Sequence, residues 1–385
     1  MKKHIKLLVV LGILLVGSFS FYLFKGSKKD TLVYDSNKVK TTSSGIAMML
    51  ETAAGSGNYE MTTKSEWPTE GYVFNLTLSK CENGGELSWD DENKKVLMSG
   101  NKSDKCYVYF DIKPQQVLLA DYVKSLYVSN NGENGIYYHD ASLVNGAGDN
   151  SYRYAGASTE VNNYVCFGST QSSCPADNLY RIIGVFGDKV KLIRNKSVGD
   201  KEWDTSDKNT WSTSSLNSYL NTEFINIFDE INKGKIDMTT WKVGGNTSTN
   251  IQSKPAKTAY QNEIVNPVTT NSTDNKTEYS AKIGLMYASD YGFAAAPSAW
   301  TTTLGNYDGE AIKSVNWMYM GLSEWTISRN AVNSINAFGV FASGFVAGGS
   351  NDVTDARGVR PVFYLSSSVN YASGSGRATD PIVIN

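Results

Sequence analysis

Apolar and polar positions follow three patterns along the chain. Residues 7–24, LLVVLGILLVGSFSFYLF, are an unbroken apolar run, with Lys2, Lys3 and Lys6 before it and Lys25, Lys28 and Lys29 after it. A run of this length crosses a bilayer at about 1.5 Å per residue, and its all-round apolarity offers no polar face. No small-x-small cleavage site or lipobox Cys follows, so residues 1–25 read as an uncleaved signal anchor rather than a cleaved signal. No second apolar span occurs. The expectation is a single-pass cell-membrane protein, contacting the membrane through residues 7–24, with its C-terminal body extracytoplasmic.

The second pattern is alternation. After a Gly/Ser-punctuated stretch at 26–57, read as a stalk whose apolar patch Ile46–Leu50 is a candidate start of the first strand, residues 58–112 predict a small β-domain. GYVFNLTL (71–78) and KCYVYFDI (105–112) are β-branched and aromatic runs, and ELSW (86–89) and KVLM (95–98) flank the turn-forming DDEN. The third pattern is helical spacing. Val117, Leu118, Val123 and Leu126 predict a helix within 115–127, so residues 113–149 read as helix and linker. Leu216, Tyr219, Leu220, Phe224, Ile227 and Phe228 predict one amphipathic helix over 212–228, capped by Ser214 or Ser215. Around it, NLYRIIGVFGDKVKLIRN (178–195) predicts two strands joined at Gly187-Asp188, AFGVFASGFVAGG (337–349) a hairpin arm, and GVRPVFYLSSSV (358–369) a closing strand.

Composition narrows the chemistry. A net charge of −2 over 385 residues gives no general drive toward nucleic acid. Two His, one of them His4, cannot supply a multi-His metal centre within one chain, so no metal or cofactor is expected. Four Cys allow three pairings, and loop-closure entropy favours Cys81–Cys106 and Cys166–Cys174. A first staple of that kind would help a domain of about 55 residues, a size marginal on core burial alone.

The run WPTEGYVFNLTLSKCENGGELSWDDENKKV…SDKCYVYFD resembles a β-domain of secreted or anchored proteins of Gram-positive gut bacteria. Residues 175–370 resemble an uncharacterised family with a C-type-lectin-like fold, related in shape to formylglycine-generating enzymes and to variable receptor proteins. The residues carrying this are NLYRIIGVFGDKVKLI, Ser215 to Asn221, Trp325-Thr326-Ile327-Ser328-Arg329, and Arg357-Gly358-Val359-Arg360-Pro361-Val362. The resemblance implies an α+β fold: a membrane helix, a disulfide-stapled β-domain, and a C-type-lectin-like domain over 150–385. It also implies that Arg357 and Arg360 are structural. The formylglycine-generating activity needs late Cys residues, and none lies after Cys174.

Candidate sites follow. Trp300, Tyr307, Trp317, Tyr319, Trp325 and Arg329 form an aromatic-rich stretch suited to sugar rings or protein hot spots, set against a reading of the same rings as core. Asn351, Asp352 and Asp355 could hold calcium but lack the spacing of a calcium loop, and a solvated turn suits them better. His139-Asp140 has no Gly-x-Ser-x-Gly partner, so His139 reads as structural. The expectation is a membrane-anchored, non-catalytic binding or adhesion protein with a glycan or protein ligand. The alternatives are a carboxylate-dependent glycan-acting enzyme and a structural envelope protein.

Overall fold

The computed structural model describes residues 45–64, 66–68, 70–100, 104–113, 116–169, 171, 173–267 and 276–385. The apolar run at 7–24 lies outside these. Among the described residues no helix is long and apolar enough to cross a membrane. The chain divides into two compact units at Gln115/Gln116. Both are mostly sheet, which corrects the expected α+β class. The longest described α-helix, Ser215–Thr222, has eight residues.

The first unit holds a four-stranded sheet in the order Tyr59–Met61, Ile46–Glu51, Cys106–Ile112, Tyr72–Cys81. The Ile46–Glu51 strand lies within the expected stalk, at the apolar patch Ile46–Leu50 read as a candidate start of the first strand. It runs parallel to Cys106–Ile112, with Ile46 opposite Cys106 and Leu50 opposite Phe110. Burial explains this, because Ile46 and Met48 alternate inward onto Val108 and Phe110. The hairpin Glu86–Asp90/Lys95–Ser99 pairs Leu87 with Met98 and Trp89 with Val96, and covers the same core. The Trp89 ring meets Phe110 edge-on at 5.4 Å, and Trp67 lies 6.0 Å from Phe110. Cys81 and Cys106 face each other in register and are disulfide-bonded.

The second unit is built on a ten-stranded sheet. Its centre is the antiparallel pair Leu179–Phe186 and Lys189–Arg194, flanked by Val362–Tyr364 and Tyr164–Cys166. Six consecutive residues of Leu179–Phe186 are buried, as are five of Lys189–Arg194. Strands covered on both faces read as continuous apolar runs rather than alternation. Here Arg181, Lys191 and Arg194 are enclosed with them.

The expected linker at 113–149 belongs to this unit. Val117–Leu118 pairs with Asn370 and Tyr371, Leu119–Ser125 is helical, and Ile136–His139 pairs with Ser151–Tyr154. The expected single helix at 212–228 is divided into a 3₁₀ turn at Trp211–Thr213, the α-helix Ser215–Thr222, and a 3₁₀ turn at Phe224–Ile227. Ser214 caps the α-helix by accepting from the Asn217 N–H. The side chain of Asn221 exchanges two hydrogen bonds with the Ile283 backbone and ties the helix to the sheet. Cys166 and Cys174 are disulfide-bonded.

A six-stranded second sheet carries Asp200–Lys201, Arg357–Gly358, Glu324–Asn330, Ala337–Val340 and Val346–Ala347 in that order, with Gly245–Asn246 also pairing onto Glu324–Asn330.

Candidate functional site

The structure moves most of the aromatic stretch inside. Trp300 and Tyr307 are 0% exposed, and Trp317, Trp325 and Arg329 are 1% exposed. The polar atoms of the four rings are used inward, as is Arg329 Nε, whereas the two Nη atoms of Arg329 are buried without a hydrogen-bond partner. The indole N–H groups donate to the carbonyls of Ala295, Tyr154 and Lys201 from Trp300, Trp317 and Trp325 respectively. The Tyr307 hydroxyl donates to Ala299, and Arg329 Nε donates to Val243. A ring whose faces and polar tip are both enclosed offers a ligand nothing. These five residues are core, and of the six expected together only Tyr319 is partly exposed.

The structural Arg positions differ in setting. Arg360 is 2% exposed and donates from Nε to Glu324 Oε2 at 2.5 Å and from Nη2 to the Met318 carbonyl. Burial pushes the Glu324 carboxyl up, and Arg360 opposes that. Arg357 is less enclosed. Its guanidinium lies 5.1 Å over the Trp325 ring and 4.9 Å over the Phe341 ring, and it pairs with Asp355 at 3.0 Å.

Arg357 leads to a face that sequence reasoning missed. Phe341 and Phe345 stack with centroids 4.5 Å apart and planes 6° from parallel, and both are partly exposed. They close the turn that follows Ala337–Val340, where the Phe341 N–H donates to the Phe345 carbonyl. Three contacts hold this turn. The buried Tyr291 hydroxyl donates to the Gly344 carbonyl, Tyr319 donates to the Ala342 carbonyl, and the Ala342 N–H donates to Ser323 Oγ. Gly344 has φ +105°, and a Cβ there would stand 2.6 Å from the Tyr307 carbonyl. The turn therefore requires glycine.

Lys201 lies directly opposite Arg357 in an antiparallel pair, so the two cations share one side of the ribbon. The Lys201 ammonium stands 3.8 Å from the Tyr219 ring centroid. The series Tyr219, Lys201, Arg357, Phe341, Phe345 thus sets two cations between rings across the surface. Beside it is a groove of about 430 Å³, lined by Lys201, Glu202, Thr205, Ser215, Tyr219 and Glu223 among others. That is within the usual volume of a ligand site, about 300–1,000 Å³. Burial and the neighbouring Glu223 raise the Tyr219 phenol, so it stays a neutral donor at physiological pH. In the sequence this face shows only as two Phe residues spaced four apart around Gly344, a pattern that does not separate it from an ordinary strand.

Other candidates are placed as follows. His139 is fully buried, accepts from the Ala147 N–H at Nδ1, and packs on Phe293 and Trp300. Burial holds its imidazole well below its ordinary pKa. Asn351 is buried and donates to the Ala347 carbonyl, while Asp352 accepts from Thr354 and Asp355 pairs with Arg357. The three do not converge on a common point for a cation. The carboxylates that the second unit gathers, Asp290 and Glu263, are each 3% exposed and lie inside the core.

Residues 187–367 match the model of a family described as a domain of unknown function (DUF6273). The match includes Lys201, Tyr219, Phe341, Phe345 and Arg357. No curated protein and no solved structure matches the chain.

Proposed function

We propose that the protein is a non-catalytic binding or adhesion protein of the cell surface, with its body extracytoplasmic and attached to the membrane through residues 7–24. Its ligand is a glycan or glycan-bearing surface held on the face from Tyr219 to Phe345. The observation that carries this reading is the outer face of Phe345, held flat by its stack on the Arg357-covered Phe341 ring, beside the groove at Tyr219. A flat, rigid aromatic platform binds a sugar ring at low entropic cost. The acids Glu202 and Glu223 beside the platform supply acceptors for sugar hydroxyls. The two disulfides suit an oxidising compartment. The resemblance of residues 175–370 to C-type-lectin-like proteins belongs to the same proposal, as a scaffold whose connecting segments display a ligand face.

The test is an array of host and bacterial glycans probed with the full-length protein, beside the Phe341→Ala/Phe345→Ala double variant and Tyr219→Ala. Binding that falls tenfold or more in each variant supports the proposal. Glycan binding indifferent to both variants, or no binding at high micromolar concentration, would overturn it.

A further inference from the structure

Lys191 is the most completely enclosed Lys of the ten-stranded sheet, 1% exposed in the middle of its strand. The rings of Tyr287, Tyr364, Phe186 and Trp241 surround its ammonium at 4.7 to 5.8 Å. Its Nζ stands 2.5 Å from Oδ2 of Asp290, which is 3% exposed. The ligand face makes no use of this pair. A buried ion pair of this kind costs desolvation on both partners, and apolar residues of similar volume serve stability as well or better. Its retention asks for another account.

We propose that Lys191 and Asp290 condense to an intramolecular isopeptide bond. Nζ attacks Cγ of Asp290, a C–N bond forms, and the Cγ–Oδ2 bond breaks. Oδ2 leaves as water, carrying two protons that began on the ammonium. The product is a neutral secondary amide, and no oxidant or reductant enters the balance.

The surroundings suit each part of this step. Burial lowers the Lys191 ammonium pKa and so favours the nucleophilic amine. The Arg153 guanidinium lies 3.8 Å from the other oxygen, Oδ1, where negative charge collects as Nζ adds. Oδ2, the oxygen that departs, already accepts the Tyr287 N–H at 2.9 Å. Glu263 is buried beneath the same turn, where it accepts the Ala288 and Ser289 N–H groups. Burial and the nearby Asp290 charge push its carboxyl up, so it is the third group of the enclosure able to carry a proton. Two groups held in reacting geometry gain an effective concentration of about 10⁵–10⁸ M, which lowers the barrier to addition, and condensation removes the desolvation cost of the buried ion pair. Charge also balances afterwards, because Arg153 keeps Asp149 at 2.6 Å.

The bond would join the central strand Lys189–Arg194 to the helix Ala288–Phe293, across 99 residues of sequence. The test is the intact mass of the full-length protein, unreduced. The expected mass is that of the sequence with two disulfides, less one water. Tryptic digestion should give residues 190–194 joined to residues 283–313 as one branched species. Lys191→Met should regain the missing water. A wild-type mass without the deficit, with the two peptides recovered separately, would overturn the proposal. A deficit that persists in Lys191→Met, or maps to other peptides, would overturn it equally.

Discussion

Replacing Arg360 by Met isolates the energetics of the pair that closes the second sheet. In the native protein Arg360 and Glu324 have side chains each 2% exposed, and Nε donates to Oε2 at 2.5 Å. Met keeps much of the aliphatic stem and removes the charge. Glu324 is then a buried carboxylate without its cation, which costs about 3–5 kcal/mol. The Met318 carbonyl also loses its donor from Nη2, but the two losses share one side chain and do not simply add. A loss of about 4 kcal/mol is a large part of the roughly 5–15 kcal/mol that holds a domain folded. For a unit of this size it corresponds to a Tm lower by about 8–16 °C. The pH dependence follows from the direction of the Glu324 shift. Burial already raises its pKa above that of the unfolded chain, and loss of Arg360 raises it further. A raised carboxyl is fully accommodated below its unfolded pKa, and its stability is lost as pH rises through the folded value. The deficit of Arg360→Met should therefore shrink as pH falls from 7 to 5. Thermal unfolding of the wild type, Arg360→Met, Glu324→Met and the double variant at both pH values gives the complete cycle. The double variant should recover most of the loss. A single variant within 1 kcal/mol of the wild type, or a double variant no better than the single, would refute the reasoning.

Three further outcomes follow. Gly344→Ala forces a Cβ toward the Tyr307 carbonyl at a φ that disfavours it, so glycan binding should fall at least tenfold while Tm moves only a few degrees. Cys81→Ser/Cys106→Ser opens a link of sequence separation 25 and should destabilise the first unit by about 3 kcal/mol, leaving near-UV signals of the second unit unchanged. His139 is held neutral by burial, so its contribution is present above its unfolded pKa of about 6.5 and is lost as pH falls. A His139→Asn variant should show a flatter stability profile from pH 7 to pH 5, and an unchanged slope would place the titration elsewhere.

Local pattern made much of the first unit legible. The runs at 72–81, 86–90, 95–99 and 106–112 each carry enough β-branched and aromatic residues to declare a strand. The apolar patch Ile46–Leu50 hinted at a strand, but its pairing was not legible, because its parallel partner lies some 60 residues away and parallel pairing leaves no turn signal between the two. In the second unit the periodic run at 212–228 was real but overstated. Phe224 and Phe228 turn inward separately, and the helix between them and Ser214 is short. The candidate site was the least legible part. Trp300, Trp317 and Trp325 carry the same composition whether they face solvent or core, and only packing decides between the two. Phe341 and Phe345 looked like ordinary strand residues, since nothing in the spacing announces that Gly344 turns them face to face.

The parallel pairing of Ile46–Glu51 with Cys106–Ile112 has a mechanical meaning. The first strand enters the unit at its N-terminal end, and the second leaves it from the opposite end of the same ladder. Tension between those two points slides the strands past each other and does not peel them apart. The rungs from Ile46–Cys106 to Leu50–Phe110 bear the load together, so rupture requires their near-simultaneous loss. Arranged this way, the first unit resists stretching far better than its equilibrium stability alone would indicate.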